Sequence, residues 1–114
     1  MTRPRFITHD GSVWVYRDRF PDIELFGTVT IGNNCFIGEG VIILPNTTIG
    51  DNCIIGAGSI VKGTFPSDSV IAGCPSRVIS SIDEYFSKNR QKFTYFRSLP
   101  KELKREKLNE LFNK

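Results

Sequence analysis

The sequence predicts an all-β fold built on a parallel β-helix and followed by a short helical tail. Three observations carry this prediction: aliphatic residues recur at every sixth position, small residues recur four places after them, and the last thirty residues change to a helical pattern. A period of six fits neither the 3.6 residues of an α-helix nor the two-residue alternation of a strand. Self-similarity at so short a period is typical of a parallel β-helix.

The repeat is clearest in the stretch IGNNCFIGEGVIILPNTTIGDNCIIGAGSIV. The first position of each six is aliphatic, at Leu25, Ile31, Ile37, Ile43, Ile49, Ile55 and Val61. The fifth position is mostly small, at Val29, Cys35, Val41, Thr47, Cys53 and Ser59, and ends on Phe65. Three sixes complete one triangular coil with both positions facing inward. Residues eighteen apart should therefore stack at the strand spacing of about 4.8 Å.

Polar residues and glycines between the aliphatic positions predict tight turns with left-handed backbone, at Asn33-Asn34, Asn46 and Asp51-Asn52. Cys35 and Cys53 are eighteen residues apart. We interpret them as stacked core residues, because a buried cysteine behaves as a small hydrophobic side chain. Residues 25–66 amount to little more than two coils, and so short a stack needs caps or partners to be stable. We expect oligomers, with three-fold symmetry favoured by the flat faces.

The segments on either side of the repeat divide the chain into residues 1–24, a loop or strand segment; 25–79, the β-helix with its closing strands; and 80–114, the helices. In the first, Trp14 and Tyr16 alternate with valines as in a strand. Strands are also predicted at residues 70–71 and 78–79, on either side of a turn at 72–75. Ser81 and Glu84 form a predicted capping box, and a second helix is expected to begin near residues 98–100. We expect both helices to cover the prism or a neighbouring subunit.

Composition excludes several classes of protein. The chain has 114 residues, of which 39% are hydrophobic and 24% charged, as in an ordinary globular domain. No apolar run is long enough for a membrane span and no secretory signal is recognisable, so a cytoplasmic protein is expected. The three cysteines have neither a disulfide framework nor a metal-binding spacing. A net charge of +3 is too modest to predict nucleic-acid binding.

Two segments carry a resemblance to a known family. GAGSIVKGTFPSDSVIAGCPSRVI resembles the end of the left-handed β-helix of hexapeptide-repeat acetyltransferases, and THDGSVWVYRDRFPDIELFG resembles the surface-polysaccharide O-acetyltransferases of the galactoside, maltose and xenobiotic acetyltransferase group. The resemblance implies a homotrimer that binds acetyl-CoA between two subunits. It implies transfer of the acetyl group to a hydroxyl of a saccharide acceptor, by direct attack on the thioester.

The resemblance also implies site residues. His9, in the THD segment, matches the general base, a role that suits imidazole at neutral pH. The matches to the cofactor-binding positions are Ala57, Lys62, Gly63 and Arg77. Asp10 could bind or orient groups at the site, or cap a turn. Trp14 could stack on a sugar ring or pack between subunits.

The sequence departs from the family pattern at two places. Lys62-Gly63 stands where the family has Thr-Lys, and family members place further coils before the histidine segment, whereas His9 lies close to the start of this sequence. A non-catalytic trimer with the same β-helix is therefore kept as the alternative. The zinc hydrolases built on this helix need several histidines, and with one histidine no metal site is expected. The identity of the acceptor is left open.

Overall fold

The computed structural model describes residues 5–113, so the predicted first and last segments extend beyond it by residues 1–4 and 114. The strands are β1 (Arg5–His9), β2 (Phe26–Ile31), β3 (Phe36–Ile37), β4 (Ile42–Ile49), β5 (Ile54–Ile55), β6 (Ile60–Phe65), β7 (Ser69–Gly73) and β8 (Ser76–Ser81). The α-helices are α1 (Ile82–Asn89) and α2 (Lys101–Phe112). Short 3-10 helices occupy Gly11–Tyr16 and Arg90–Lys92.

The strands form two four-stranded sheets, in the orders β1-β2-β4-β6 and β3-β5-β7-β8. The inner pairs β2-β4, β4-β6, β3-β5 and β5-β7 are parallel, while β1 and β8 join their sheets antiparallel. Strands β4 and β6 each turn a corner, so that residues 42–43 pair with 60–61 separately from the pairing of 47–49 with 63–65. The chain thus passes three times through the same two sheets, and the paired residues 42–43 and 60–61 form a further face between them.

The pairing register confirms the predicted eighteen-residue spacing for the first two turns of the chain. Val29 pairs with Thr47, and Phe36 pairs with Ile54. After Val61 the spacing falls to sixteen residues. One residue, Lys62, lies between the paired residues Val61 and Gly63. Three residues, 44–46, lie between their partners in the preceding turn.

This shortened turn overturns one prediction. The six-residue repeat predicts that Phe65 occupies the fifth position, which is mostly small, but the structure pairs Phe65 with Ile49, a first position. Gly63, with φ +115°, makes the tight passage possible, because this backbone conformation is strained for residues with a Cβ atom. A large side chain fits at residue 65 because the position is an interior one, like Ile49, rather than a corner.

The core lies along the inward positions of the repeat. Six buried side chains form one cluster: Ile49, Cys53, Ile55, Val61, Phe65 and Ile71. The polar residues among the inward positions satisfy their own hydrogen bonds. The Thr47 hydroxyl donates to the Leu44 carbonyl at 2.6 Å, and the Ser59 hydroxyl donates to the Gly56 carbonyl at 2.7 Å. Small hydroxyl residues can therefore fill the corners without burying an unpaired group.

The predicted turn residues do adopt left-handed backbone, with φ of 57° at Asn34, 68° at Asn46 and 56° at Asn52. Two of them belong to a ladder of stacked side chains. The side-chain amide of Asn34 donates to the side-chain oxygen of Asn52 at 2.9 Å. The side-chain amide of Asn52 in turn donates to the Asp68 carboxylate at 3.2 Å. Asp68 also has positive φ, at 62°. Side-chain hydrogen bonds therefore connect three successive corners.

Cys35 and Cys53 are free thiols that stack at neighbouring corners, as predicted. The Cys53 thiol is buried and donates to the Pro66 carbonyl at 3.3 Å, while the half-buried Cys35 thiol donates to the Gly50 carbonyl at 3.1 Å. Burial raises the pKa of the Cys53 thiol, which keeps it protonated. Both cysteines therefore act as small core residues.

The strand predicted around Trp14 and Tyr16 is wrong, because the structure has a 3-10 helix over Gly11–Tyr16. Asp10 is the residue before this helix, and its carboxylate accepts a hydrogen bond from the Ser12 backbone N–H at 3.0 Å. Such a local side-chain bond competes with strand pairing. The alternation of aromatic and valine residues therefore did not decide the conformation here.

The tail agrees with its prediction in the strand pair, the capping box and the start of α2, whereas the expected packing on the β-strands is made by α1 and not by α2. β7 and β8 form the expected hairpin, and α1 begins with the predicted capping box. The Ser81 hydroxyl accepts from the Glu84 N–H at 3.1 Å, and the Glu84 carboxylate accepts from the Ser81 N–H at 3.5 Å. Helix α1 packs on β7 and β8, and α2 begins just after Pro100. Within residues 5–113 no helix has the length and apolar character needed to cross a membrane.

Candidate functional site

His9 stands at the end of β1, where the antiparallel ladder with β2 holds its backbone opposite Phe26. Its imidazole ring lies against the Phe26 ring, with centroids 4.6 Å apart and planes tilted by 46°. The side chain is nevertheless exposed. The ring is therefore supported from one side and open to a solute on another.

Hydrogen bonds fix both the backbone and the side chain of Asp10, the next residue. Its N–H donates to the Leu25 carbonyl at 2.8 Å, and its carboxylate caps the 3-10 helix. The hydrogen bond from the Ser12 N–H, a further bond from the Ser12 side chain and the positive charge of Lys62 hold the pKa of Asp10 below its usual value. Of the two uses considered for Asp10, the structure shows the cap.

The effect of Lys62 on Asp10 also shows that a predicted cofactor residue lies near the histidine segment. Lys62 is exposed on the short turn into Gly63. One coil earlier, the same corner is formed by residues 44–46, and Pro45 packs so tightly over Gly27 that a Cβ atom would not fit there. This close approach brings the start of β2, and with it the end of β1, to the Pro45 corner, which adjoins the Lys62 corner.

The other two predicted cofactor residues flank β7 at a different corner. Ala57 is exposed between Gly56, whose N–H donates to the Ile71 carbonyl at 2.9 Å, and Gly58, whose φ of +73° turns the chain. Arg77 lies on β8, opposite Ala72 of β7, and is also exposed. Ala57 and Arg77 are thus near neighbours of the same β7 segment.

One face of the prism connects these two corners. It consists of the paired residues 42–43 and 60–61, and the Ser76 hydroxyl closes it by donating to the Ile60 carbonyl at 2.6 Å. Ala57 and Lys62 are five positions apart in the chain, a span of at most about 18 Å. A long ligand on this face would have Arg77 at one edge and His9 with Lys62 at the other.

Trp14 is exposed on the 3-10 helix that follows His9. Tyr16 on the same helix is covered by the Arg19 guanidinium, 5.5 Å from the ring centroid. An aromatic ring as open as that of Trp14 is available both to a sugar ring and to a second subunit.

Sequence reasoning missed an apolar groove between the repeat and the tail. It has a volume of about 530 Å³ and is lined by residues that include Phe36, Ile54, Tyr85, Phe86 and Phe93. The tail aromatics were visible in the sequence as a helical stripe. Their pairing with the outward residues of β3 and β5 depends on how α1 folds back, which no local pattern specifies.

The structure offers no cluster of metal ligands in the part of the chain that it describes: no three His, Cys, Asp or Glu side chains gather there. The predicted site residues present an exposed imidazole at His9 and exposed cations at Lys62 and Arg77.

Comparisons with known proteins agree with this architecture. Residues 28–63 match the family described as bacterial transferase hexapeptide (six repeats). The chain is 46% identical to the protein CapG of Staphylococcus aureus over 95 residues. This alignment covers 83% of this chain and 55% of CapG.

Two solved structures are also similar. A galactoside acetyltransferase in complex with coenzyme A shares 40% identity with a TM-score of 0.55, over 81% of this chain and 42% of that one. A maltose O-acetyltransferase from Clostridium difficile 630 shares 51% identity with a TM-score of 0.52, over 55% of this chain and 34% of that one. The chain thus spans about half the length of CapG and less of the two acetyltransferases.

Proposed function

We propose that this chain belongs to an O-acetyltransferase that moves an acetyl group from acetyl-CoA to a hydroxyl of a saccharide. The observation that carries the proposal is the likeness to the galactoside acetyltransferase bound to coenzyme A, at 40% identity over 81% of this chain. The relationship to the maltose O-acetyltransferase points to the same chemistry and to a sugar as acceptor. A cytoplasmic location stays a prediction.

The assembly proposed for this function is a homotrimer of left-handed parallel β-helices. Parallel pairing at offsets of eighteen and sixteen residues supports the helical path. The apolar side chains exposed along the outside, such as Phe6, Ile7 and Ile42, support association, because a monomer seldom leaves so many uncovered. The proposed active sites lie between subunits, along the face that runs from Arg77 to His9.

In the proposed reaction, His9 removes the proton of the acceptor hydroxyl while the oxygen attacks the thioester carbonyl of acetyl-CoA. The resulting tetrahedral oxyanion collapses, the C–S bond breaks, and the thiolate takes the proton back from the imidazolium. The products are the acetyl ester and free CoA. The open ring of His9, supported by Phe26, suits this exchange of a single proton.

The cofactor is proposed to lie along the same face. Arg77 would hold a phosphate group of CoA by charge-assisted hydrogen bonds, and Lys62 would supply a second positive charge at the opposite corner. The backbone at Ala57 and Gly63 would flank the extended arm of the cofactor. Asp10 and Trp14 are proposed to contact the acceptor side, with Asp10 acting mainly through the segment that it caps.

The decisive experiment measures free CoA release from acetyl-CoA with a panel of mono- and disaccharides, using the parent chain and His9→Ala. We expect acceptor-dependent release that falls by a factor of about 10²–10⁴ in the variant. His9→Gln is the matched control, because its amide keeps a polar side chain of similar reach without accepting a proton. Equal rates in the parent and His9→Ala would refute the assigned base.

A second candidate is a non-catalytic hexapeptide-repeat protein. It is favoured by the departure at Lys62-Gly63, which stands where the resembled family has Thr-Lys. Acetyl-CoA at one hundred times its dissociation constant should stabilise a binding-competent fold by about 2.7 kcal/mol. No shift in the unfolding temperature at millimolar acetyl-CoA would favour this candidate over the enzyme.

A further inference from the structure

Helix α2 stands away from the rest of the molecule. The radius of gyration is 19.7 Å, whereas a compact chain of this length would have about 13 Å. No side chain of α2 is buried, although the Lys107 ammonium lies 5.8 Å from the Phe96 ring centroid in the preceding segment. An amphipathic helix so placed has an apolar surface without a partner in its own chain.

The two sides of α2 differ in chemistry. At about 100° per residue, Leu108, Leu111 and Phe112 fall on one side of the helix. The cations Lys101, Lys104 and Arg105 fall within the same sector, while Glu102 and Glu106 lie on the other side. Leu111 is 46% exposed and Phe112 76%. The uncovered side of α2 is therefore both apolar and basic.

The groove described above has the complementary character. One wall is the outer surface of β3 and β5, with Phe36 and Ile54, and the other is α1 with the Phe93 segment. The Phe86 and Phe93 rings lie 5.1 Å apart, which makes the second wall a continuous aromatic surface. The charged residue among those that line the groove is Asp83. Asp68 adds an acidic group beside Asn52, another lining residue.

We propose that α2 of one copy docks into this groove of a second copy of the chain. The apolar residues of α2 would cover the exposed rings of the groove, and its lysines and Arg105 would face Asp83 and Asp68. The helix is about 18 Å long at 1.5 Å per residue, enough to lie along α1, which is about 12 Å long. The contact is heterologous, so three copies can close it into a ring.

The connection between the groove and α2 favours a second copy over the same chain. Phe93 lines the groove, and residues 94–100 alone separate it from α2. Within this link, the Leu99 N–H donates to the Phe96 carbonyl at 3.0 Å, and Lys107 contacts the Phe96 ring. None of the residues that line the groove belongs to α2 of the same chain. The docking does not depend on the acetyl-transfer chemistry.

Disulfide trapping tests the proposal on the full chain. In a Cys74→Ser background, which removes the exposed thiol, Leu111→Cys places a thiol on the docking side of α2, and Tyr85→Cys places the partner thiol in the groove, at a residue that is 40% exposed. With copper phenanthroline as oxidant, we expect disulfide-linked dimers and trimers on non-reducing gels. A docked pair at millimolar effective concentration should cross-link about a hundredfold faster than chains that collide at 10 µM.

Glu102→Cys is the matched control, since this position lies about 180° around α2 from Leu111 and should not cross-link at this rate. Leu111→Cys without Tyr85→Cys should give no such products. Both α2 positions are exposed, so the fold is retained and can be checked by circular dichroism. The proposal is overturned by intrachain products alone, by dimers that form without Tyr85→Cys, or by equal cross-linking of the two α2 variants. It is also overturned if no interchain cross-link forms, whether or not α2 instead carries the chain onto phosphatidylglycerol vesicles.

Discussion

The two ends of the prism are built from the same repeat and are covered very differently. Ile37, Ile55 and Ile71 occupy one column, with Ile37 paired to Ile55 and Ile55 paired to Ile71. Ile55 and Ile71 are fully buried at 0% exposure, whereas Ile37 is 40% exposed. The same residue at the same repeat position is therefore core at one end and surface at the other.

The difference comes from the caps. At the far end, the antiparallel strand β8 pairs with β7 and continues into α1, whose first turn is capped by Ser81. At the near end, β1 covers only the sheet that begins with β2, and β3 remains an edge strand. The burial of a hexapeptide position thus depends on the coil or cap next to it. Its residue type only makes burial favourable.

The largest expected effect is on the rate of acetyl transfer, and it distinguishes the roles proposed for residues at the two ends. His9 belongs to the near end and Arg77 to the capped end. His9→Ala should lower kcat by a factor of about 10²–10⁴ with little change in KM for acetyl-CoA, because it removes proton transfer. Arg77→Ala should chiefly raise KM for acetyl-CoA, because it removes a phosphate contact. Steady-state kinetics with varied acetyl-CoA distinguishes the two, and the same pattern in both variants would contradict the division.

The second prediction tests burial along the column. Ile55→Ala should lower the free energy of unfolding by about 2–5 kcal/mol, because it leaves a cavity among fully buried neighbours. Ile37→Ala, the matched control, should cost only about 1 kcal/mol, since water already reaches that side chain. Urea unfolding of both variants gives the two values. Equal losses would mean that the near end is covered in solution, for example by another polypeptide.

The third prediction concerns the cap at the far end. Ser81→Ala removes the hydroxyl that accepts from the Glu84 N–H, and it should cost about 1 kcal/mol of stability. Ser81→Asp should restore most of the loss, because aspartate also caps a helix well. The midpoint of urea unfolding measures both. Unchanged stability in Ser81→Ala would show that α1 does not depend on this cap.

The smallest effect is expected at the cap of the near end. The Ser12 N–H, the Ser12 side chain and Lys62 hold the pKa of Asp10 below its ordinary 3.8 in the folded chain. The charged form is therefore favoured by folding, so its stabilisation is present above pH 3.8 and is lost as the pH falls through the lowered value. Carboxyl NMR titration should find the Asp10 pKa below 3.8. In Ser12→Pro, which lacks the donating N–H, the pKa of Asp10 should return towards 3.8.

Much of the fold could be predicted because its causes are local. The six-residue repeat determines which residues face inward. Asn34, Asn46 and Asn52 tolerate the left-handed backbone that the corners of the repeat require. The Ser81 capping box depends on residues three apart. In the candidate site, the position of His9 before a capped turn could likewise be anticipated from the segment THD.

Other features required the tertiary structure. Phe65 took an interior position because one turn is two residues shorter than its predecessor, and the aromatic segment at Trp14 became a 3-10 helix because Asp10 bonds to Ser12. Lys62 was brought towards Asp10 by the stacking of distant coils.

By itself, the sequence determined the repeat, the turns and the caps, because these depend on the conformational preferences of neighbouring residues. Only the tertiary structure decided which repeat positions are buried, which predicted site residues share a face, and where the tail meets the prism to form the apolar groove. Those outcomes depend on contacts between residues far apart in the chain. Such contacts are set by the cumulative register of the coils, which a change of two residues in one turn is enough to shift.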